Sequence, residues 1–168
     1  ALSEKTTVEI CRENKEWHLE LSKGKVTKPT TSGKKIKKTG TKITFLPDKT
    51  IFEDTNFNAQ TLIEKIREIA YLNSGVTITF TDKREAVPEK ITFKTKNGLT
   101  EFIDYLVSDK DLYLKSPIYF NDKKEDIQVE CAIQFADEYN DALFSFVNNI
   151  KTTDGGTHEL GFKNALTR

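Results

Sequence analysis

The chain has 168 residues with 26 basic and 26 acidic side chains, so its formal net charge is zero and gives no overall attraction to nucleic acid or membrane. No apolar run approaches the roughly 18 residues that a membrane-spanning helix requires. Residues 1–10 have neither the basic start nor the apolar core of a signal peptide, so we expect a cytoplasmic chain with no membrane partner.

The first 48 residues predict a hairpin, a loop and a short strand. Residues 6–25 alternate apolar and polar side chains on either side of RENKE, which indicates a β-hairpin. Residues 26–40, VTKPTTSGKKIKKTG, contain proline, glycine and threonine without periodicity and are expected to form a mobile lysine-rich loop. Residues 41–48 then predict a short strand, with Ile43 and Phe45 on one face, that ends at Pro47.

Two amphipathic helices and several strands follow. Asn58 is expected to cap a helix over about 59–73, with an apolar stripe of Leu62, Ile66, Ile69 and Ala70. The segments GVTITFTDKR and EKITFKTK predict an antiparallel pair, and residues 97–110 predict a second helix. Three further strands are expected in SPIYFND, IQVECAIQFAD and ALFSFVNNI.

Two groups of elements are therefore predicted, with a seam at Asn97-Gly98. The chain lacks an initial methionine, and the helix that begins near Thr157 is short, so we expect a piece of a longer protein. Cys11 and Cys131 lie in apolar, strand-like runs and are expected to be buried and reduced. The two cysteines and the two histidines are not closely spaced in the sequence, so we do not expect a zinc site.

Several stretches occur together, in fixed order, in one known family. They are ALSEKTTVEI, KKTGTKITFLPD, IREIAYLNSGVTITFTDKR, PIYF, VECAIQFADEY and FSFVNNIKTTDGGTHELGFKNALTR. On these stretches the chain resembles the ATPase subunits of bacterial type II DNA topoisomerases, which are the B subunits of DNA gyrase and topoisomerase IV. AYLNSG favours gyrase, whereas Asn97-Gly98 stands where the family usually has two glycines.

The resemblance implies an α+β chain of two half-domains. Residues 1–97 would be the second half of an ATPase domain of the gyrase, Hsp90, histidine kinase and MutL type, and residues 98–168 the first half of a transducer domain with a ribosomal-protein-like β-α-β fold. The family's magnesium-binding asparagine, catalytic glutamate and phosphate lid would precede Ala1, and its phosphate-contacting lysine would follow Arg168. We therefore expect no catalytic residue and no metal ligand in this piece, which alone should not hydrolyse ATP.

Four residues are predicted by the resemblance to contact the nucleotide. Thr41 would complete the hydrogen-bond network around adenine, and Gly40 before it allows close approach of the backbone. Ile43, on the same face as Thr41, would line the pocket floor. Arg12 would lie at the pocket rim, where coumarin-type inhibitors bind in the family. Without the resemblance, Gly40-Thr41 is typical of a turn and Arg12 of a solvated hairpin end.

Two further motifs each allow a functional and a structural interpretation. Residues 23–42 hold eight lysines and no acid, which could bind DNA phosphates, but the absence of aromatic residues favours a solvated loop. DGGTH, residues 154–158, exposes backbone N–H groups before a helix but lacks the lysine of a phosphate-binding loop. We favour Thr157 as a helix N-cap and His158 as a packing or hydrogen-bonding residue.

The intact protein is thus expected to be an ATP-dependent DNA topoisomerase subunit that uses ATP and Mg²⁺. Its expected partners are DNA, the topoisomerase A subunit in a heterotetramer, and a second copy of itself with which it dimerises when ATP binds. The alternative is a noncatalytic DNA- or protein-binding module on the same scaffold. An upstream reading frame that encodes an asparagine-glutamate helix and a glycine-rich lid would exclude the alternative.

Overall fold

The computed structural model describes residues 1–139 and 141–168, which pack as two units, Ala1–Phe57 and Asn58–Arg168. The mixture of helices and antiparallel strands confirms the predicted α+β class. In chain order the described elements are β1 (Ser3–Arg12), β2 (Lys15–Ser22), β3 (Lys25–Lys35), β4 (Gly40–Pro47), α1 (Ala59–Leu72), β5 (Thr77–Asp82), β6 (Glu89–Lys94), α2 (Leu99–Leu106), β7 (Ile118–Lys124), β8 (Ile127–Ile133), β9 (Phe146–Val147), β10 (Ile150–Lys151) and α3 (Thr157–Leu166).

The first unit is a four-stranded antiparallel sheet with strand order β3-β2-β1-β4. The predicted hairpin is confirmed, and its turn has Glu13 and Asn14 at φ values of 55° and 58°, as in the tight turns that match strand twist. Register separates the sheet into a polar and an apolar face. The apolar face carries Val8, Ile10, Trp17, Leu19, Leu21, Ile43 and Phe45.

The prediction of a mobile loop at 26–40 is wrong over most of its length, because residues 25–35 form the outer strand β3. Valine and threonine favour extended backbone, and β2 supplies the hydrogen-bonding partner. Proline normally excludes a central strand, but an edge strand tolerates it. Pro29 lies between the pairs Glu20↔Lys28 and His18↔Thr31, where the register shifts.

In the second unit, the predicted helix cap is confirmed. The Asn58 side chain accepts a hydrogen bond from the Thr61 amide at 3.0 Å, which satisfies one free donor of the first turn of α1. The buried residues of α1 are Ile63 and Ala70, whereas Ile69 is 39% exposed. The buried face of α1 is therefore rotated by part of a turn relative to the predicted apolar stripe. The predicted pairing of β5 with β6 is also confirmed.

Aromatic side chains join α1, α2 and the segment before β9. Tyr71 stacks on Phe102 with ring centroids 5.2 Å apart, and Phe144 and Phe146 approach Phe102 to 6.4 and 6.3 Å. Such pairs add to the free energy gained from burial alone. Phe102 of α2 is the buried centre of this group.

A single strand over 142–150 is not observed. β9 and β10 instead form a two-residue hairpin in which Val147 pairs with Ile150. Asn148 and Asn149 have φ values of 49° and 65°, a conformation that asparagine tolerates better than most residues. The two asparagines therefore make the turn that divides the predicted strand.

The N-cap prediction for Thr157 is also wrong. Gly156 precedes α3 as its cap residue without a side-chain hydrogen bond, and Thr157 is the first helical residue. The packing units divide at 57/58, whereas the sequence analysis places the seam at 97/98. The assignment of 1–97 and 98–168 to two family domains stays a prediction. Over the residues described, no helix is both long and apolar enough to cross a membrane.

Candidate functional site

Pairing of β1 with β4 gathers the four predicted nucleotide-contacting residues at one end of the first sheet. Gly40 lies opposite Cys11, and Thr41 lies opposite Ile10. Arg12 is the next residue of β1, so it adjoins the Gly40 rung. Ile43 is two residues further into the sheet, on the face that Thr41 shares. Hydrogen bonding of the two strands thus brings together the four residues that the resemblance implies, and their contact with a nucleotide stays a prediction.

The surroundings of Gly40, Thr41 and Ile43 are open. A Cβ atom at Gly40 would meet nothing within 4 Å. Thr41 is exposed, and Ile43 is 62% exposed. In the described part of the chain we find no hydrogen bond of the Thr41 hydroxyl. A free donor-acceptor group beside an apolar side chain can contact the polar edge and the flat face of a heteroaromatic ring.

An ion pair holds the opposite face of β4. Lys42 Nζ lies 2.6 Å from Glu9 Oε2 on the neighbouring strand. The hydrogen bond to Lys42 lowers the pKa of Glu9, and the same bond raises the pKa of Lys42. Because neighbouring residues of a strand alternate sides, Thr41 and Ile43 lie on the apolar face, opposite this pair.

Arg12 ends β1 at the hairpin turn and is largely exposed. Its Nε lies 3.8 Å from Glu13 Oε1, a long contact between two exposed side chains that contributes little to stability. The guanidinium therefore retains most of its donors for another group.

Asp48, directly after β4, has a structural role that the sequence analysis missed. Asp48 is 3% exposed, and its side chain accepts hydrogen bonds from the Thr50 amide at 2.9 Å and hydroxyl at 2.7 Å. Lys23 Nζ lies 3.4 Å from the same carboxylate. The Thr50 hydroxyl is the main cause of the lowered pKa of Asp48. Aspartate two residues before threonine is the turn signal that could have revealed this contact.

A polar contact joins the LNSG and NNI motifs in the second unit. Asn149 Nδ2 donates to Asn73 Oδ1 at 2.9 Å, although the residues are 76 positions apart. Asn73 Nδ2 in turn donates to the Ile69 carbonyl at 2.7 Å, at the C-terminal end of α1. No pattern in the sequence predicted this pair.

The DGGTH motif folds back on the β9–β10 hairpin. Ser145 Oγ donates to Glu159 Oε2 at 3.1 Å, and Thr152 Oγ1 lies 3.1 Å from His158 Nε2. A Cβ atom at Gly155 would lie 3.1 Å from Glu159 Oε2. The chain's own carboxylate thus lies against the glycines where a phosphate would have to bind. The structural interpretation of DGGTH, with His158 as a hydrogen-bonding residue, agrees with this geometry.

The two cysteines are free and half-buried, less enclosed than expected. Burial raises the pKa of the Cys131 thiol. Within residues 1–139 and 141–168, no group of three histidine, cysteine or acidic side chains could hold a metal ion.

The known proteins that are similar to this chain belong to one family. The profile of the DNA gyrase B family matches residues 98–168. The B subunit of DNA topoisomerase 4 of Enterococcus faecalis is 45% identical over the whole chain, which spans 25% of that protein. The B subunit of DNA gyrase of Campylobacter jejuni is 44% identical, again over the whole chain, which spans 21% of it. These two identities do not separate the two kinds of topoisomerase.

A solved structure extends the similarity to three dimensions. The 43K ATPase domain of Thermus thermophilus gyrase B, in complex with an aminocoumarin, matches 98% of the chain at a TM-score of 0.85 and 34% identity. The chain covers 45% of that structure. Sequence and fold therefore agree along the chain, which belongs to the family of DNA gyrase and topoisomerase IV B subunits and corresponds to about a quarter of their length.

Proposed function

We propose that this chain is part of the ATP-hydrolysing subunit of a type II DNA topoisomerase. On this proposal the full-length protein binds ATP with Mg²⁺, dimerises, and acts on DNA together with the topoisomerase A subunit. ATP binding and hydrolysis then drive the passage of one duplex through a break in another, with negative supercoiling if the enzyme is a gyrase. The similarity to an ATPase domain of gyrase B supports the nucleotide, and the relatives' names support the reaction on DNA.

The observation that carries this proposal is the β1–β4 register, which places Thr41 and Ile43 side by side with Gly40 and Arg12 adjacent. The Thr41 hydroxyl would bind the polar edge of adenine, and Ile43 would cover part of its face. Gly40 leaves room for close approach, since nothing lies within 4 Å of its Cβ position. Arg12 would donate to polar groups at the rim. This donor set fits a purine base.

The same residues do not fit Mg²⁺, because the described part of the chain contains no cluster of metal-ligating side chains. The ion is expected to be held by residues elsewhere in the full-length protein. When bound, it would neutralise charge on the phosphates of ATP.

The energy of ATP binding can change the shape of the protein only through contacts that differ between its open and closed forms. On the proposal, Thr41 and Ile43 bind the base in both forms and therefore set affinity. Hydrolysis would depend on residues outside the chain.

The test replaces Thr41 by valine in the full-length protein. Loss of a buried hydrogen bond of about 1–2 kcal/mol predicts a KM for ATP about 5- to 30-fold higher. Thr41→Ser keeps the hydroxyl and should stay near the parent value. Thr44→Val changes the opposite face of the same strand and is the matched control. An unchanged KM in Thr41→Val, or an equal rise in Thr44→Val, would contradict the assignment.

A second experiment compares the 168-residue chain with the full-length protein by titration with a nonhydrolysable ATP analogue. We expect tight, magnesium-dependent binding by the full-length protein alone. Tight binding by the 168-residue chain would show that the nucleotide contacts lie within it.

A further inference from the structure

Four of the eight lysines between residues 23 and 42 lie on β3, an ordered strand at the edge of the sheet. β3 runs for 11 residues, all exposed, and pairs on one side only, with β2. At about 3.3 Å per residue, its length is roughly 33 Å, close to one turn of duplex DNA. Lys25 at the start of this strand and Lys34 and Lys35 at its end are therefore far enough apart to contact phosphates about one helical turn apart.

Three of the eight lysines between residues 23 and 42 have acidic partners. Lys23 contacts Asp48, Lys28 lies 2.9 Å from Glu20, and Lys42 lies 2.6 Å from Glu9. In the described part of the chain, no ion pair forms at the other five. We call these five residues the lysine edge: Lys25, Lys34, Lys35, Lys37 and Lys38.

Two acidic side chains of β2, Glu16 and Glu20, lie against β3. Glu20 is paired with Lys28, and Glu16 Oε2 would be 3.3 Å from a Cβ atom at Gly33. Lys35 lies opposite Lys15, which adds positive charge at the same end of the strand. The net charge of the whole chain is zero, so the lysine edge is a local concentration of charge.

The composition of β3 favours a duplex over a single strand. Residues 25–35 contain no aromatic side chain on which an unpaired base could stack. Lysine binds phosphate as a point charge without the fixed two-pronged geometry of arginine, which suits contacts that form and break without regard to sequence. We propose that the lysine edge binds the phosphate backbone of duplex DNA, an inference that rests on the proposed function.

The competing explanation is that the lysines protect an exposed edge strand from pairing with another chain. Lysine and proline are common devices for this purpose. The two roles predict different results when the charge is removed. Loss of protection causes self-association, whereas loss of a phosphate-binding surface lowers DNA affinity and its dependence on salt.

The experiment measures binding of the full-length protein to a fluorescein-labelled duplex of random sequence, over a range of salt concentrations. All five residues of the lysine edge are changed to glutamine. Because each lost phosphate contact lowers the slope of log K against log[salt] by about 0.9, we expect the slope to fall by about 2 to 4.5. Changing the same five residues to arginine keeps the charge and should preserve the slope.

The matched control changes five exposed lysines of the second unit to glutamine: Lys90, Lys96, Lys115, Lys123 and Lys124. If the slope fell equally in this control variant, the effect would depend on the total charge of the protein and not on the lysine edge, and the proposal would be overturned. An unchanged slope in the glutamine variant of the lysine edge would also overturn the proposal. If that variant self-associates on size exclusion as well, the lysines protect the edge strand; if it instead loses affinity for an acidic protein, that protein is the ligand of the lysine edge. ATP hydrolysis by the parent protein is measured in parallel. Its absence would contradict the proposed function, whereas the salt dependence of DNA binding tests the lysine edge separately.

Discussion

Asn149, in the turn between β9 and β10, donates a hydrogen bond to Asn73 at the C-terminal end of α1. The amide of Asn73 is itself bonded to the Ile69 carbonyl, so its oxygen faces the turn. The positive φ of Asn149 is part of the same arrangement, because the turn presents the side chain toward the helix end. Two motifs that are far apart in sequence thus meet at one contact.

Replacing Asn149 by glycine should keep the turn but remove this hydrogen bond. The bond is exposed, so we expect a loss of about 0.5–1 kcal/mol in the free energy of unfolding. A double-mutant cycle with Asn73→Ala, measured by urea unfolding, isolates the interaction energy between the two side chains. It thereby removes the effect that Asn73 has on its own at the helix end. Purely additive effects of the two substitutions would show that the contact contributes nothing.

Gly98→Ala should destabilise the start of α2. Gly98 has φ +50° and ψ −111°, and a Cβ atom there would lie 3.2 Å from the Tyr71 carbonyl oxygen. Backbone strain of this kind costs about 1–3 kcal/mol. Gly161→Ala is the control, because Gly161 lies within α3 with nothing within 4 Å of its Cβ position, and alanine favours the helix. Thermal unfolding should move in opposite directions for the two variants.

Thr95→Val should remove a buried hydrogen bond at the junction of α1 and β6. Thr95 is 5% exposed, and its hydroxyl donates to the Ala70 carbonyl at 2.8 Å. We expect a loss of about 1–2 kcal/mol in the free energy of unfolding. Thr95→Ser keeps the donor and should lose less. If valine proved as stable as the parent chain, the hydroxyl would have no net effect on stability.

Glu20 should make stability depend on pH below about 4.5. Hydrogen bonds from His18 and Lys28 lower the pKa of Glu20 to about 2. A depressed carboxyl pKa stabilises the fold above the unfolded value, and this stabilisation is lost as pH falls from about 4.5 toward 2. Glu20→Gln should therefore be less stable at pH 7, with a difference that shrinks in acid.

The midpoint of urea unfolding between pH 7 and pH 2 measures this effect. Glu53→Gln, which removes one carboxylate at an exposed position of the same unit, is the charge-matched control. A constant difference between Glu20→Gln and the parent chain would contradict the lowered pKa.

Local patterns identified several of the regular elements. Alternation of apolar and polar residues identified β1 and β2, and Asn58 identified the start of α1. The outer strand β3 was missed because its valine and threonines are interrupted by Pro29 and Gly33, and only its pairing with β2 compensates for them. The local sequence of β3 does not show that β2 is available as its pairing partner.

The candidate site was predicted by family resemblance, and its assembly depends on strand register. No periodicity in the sequence places Gly40 opposite Cys11. The contacts of Asn73 with Asn149 and of Ser145 with Glu159 were not predicted, because each joins polar side chains whose proximity depends on the positions of whole elements. Thr41 and Arg12 remain predictions until their nucleotide contacts are measured.

The β9–β10 turn has a mechanical consequence for the helices around it. Ser145 and Thr152, on either side of the turn, bind Glu159 and His158 in the first turn of α3, while Asn149 at its tip binds the end of α1. A rotation of α3 about its first turn must therefore break these bonds or carry the hairpin with it. In the second case, the displacement also stretches or breaks the hydrogen bond between Asn149 and Asn73 at the C-terminal end of α1.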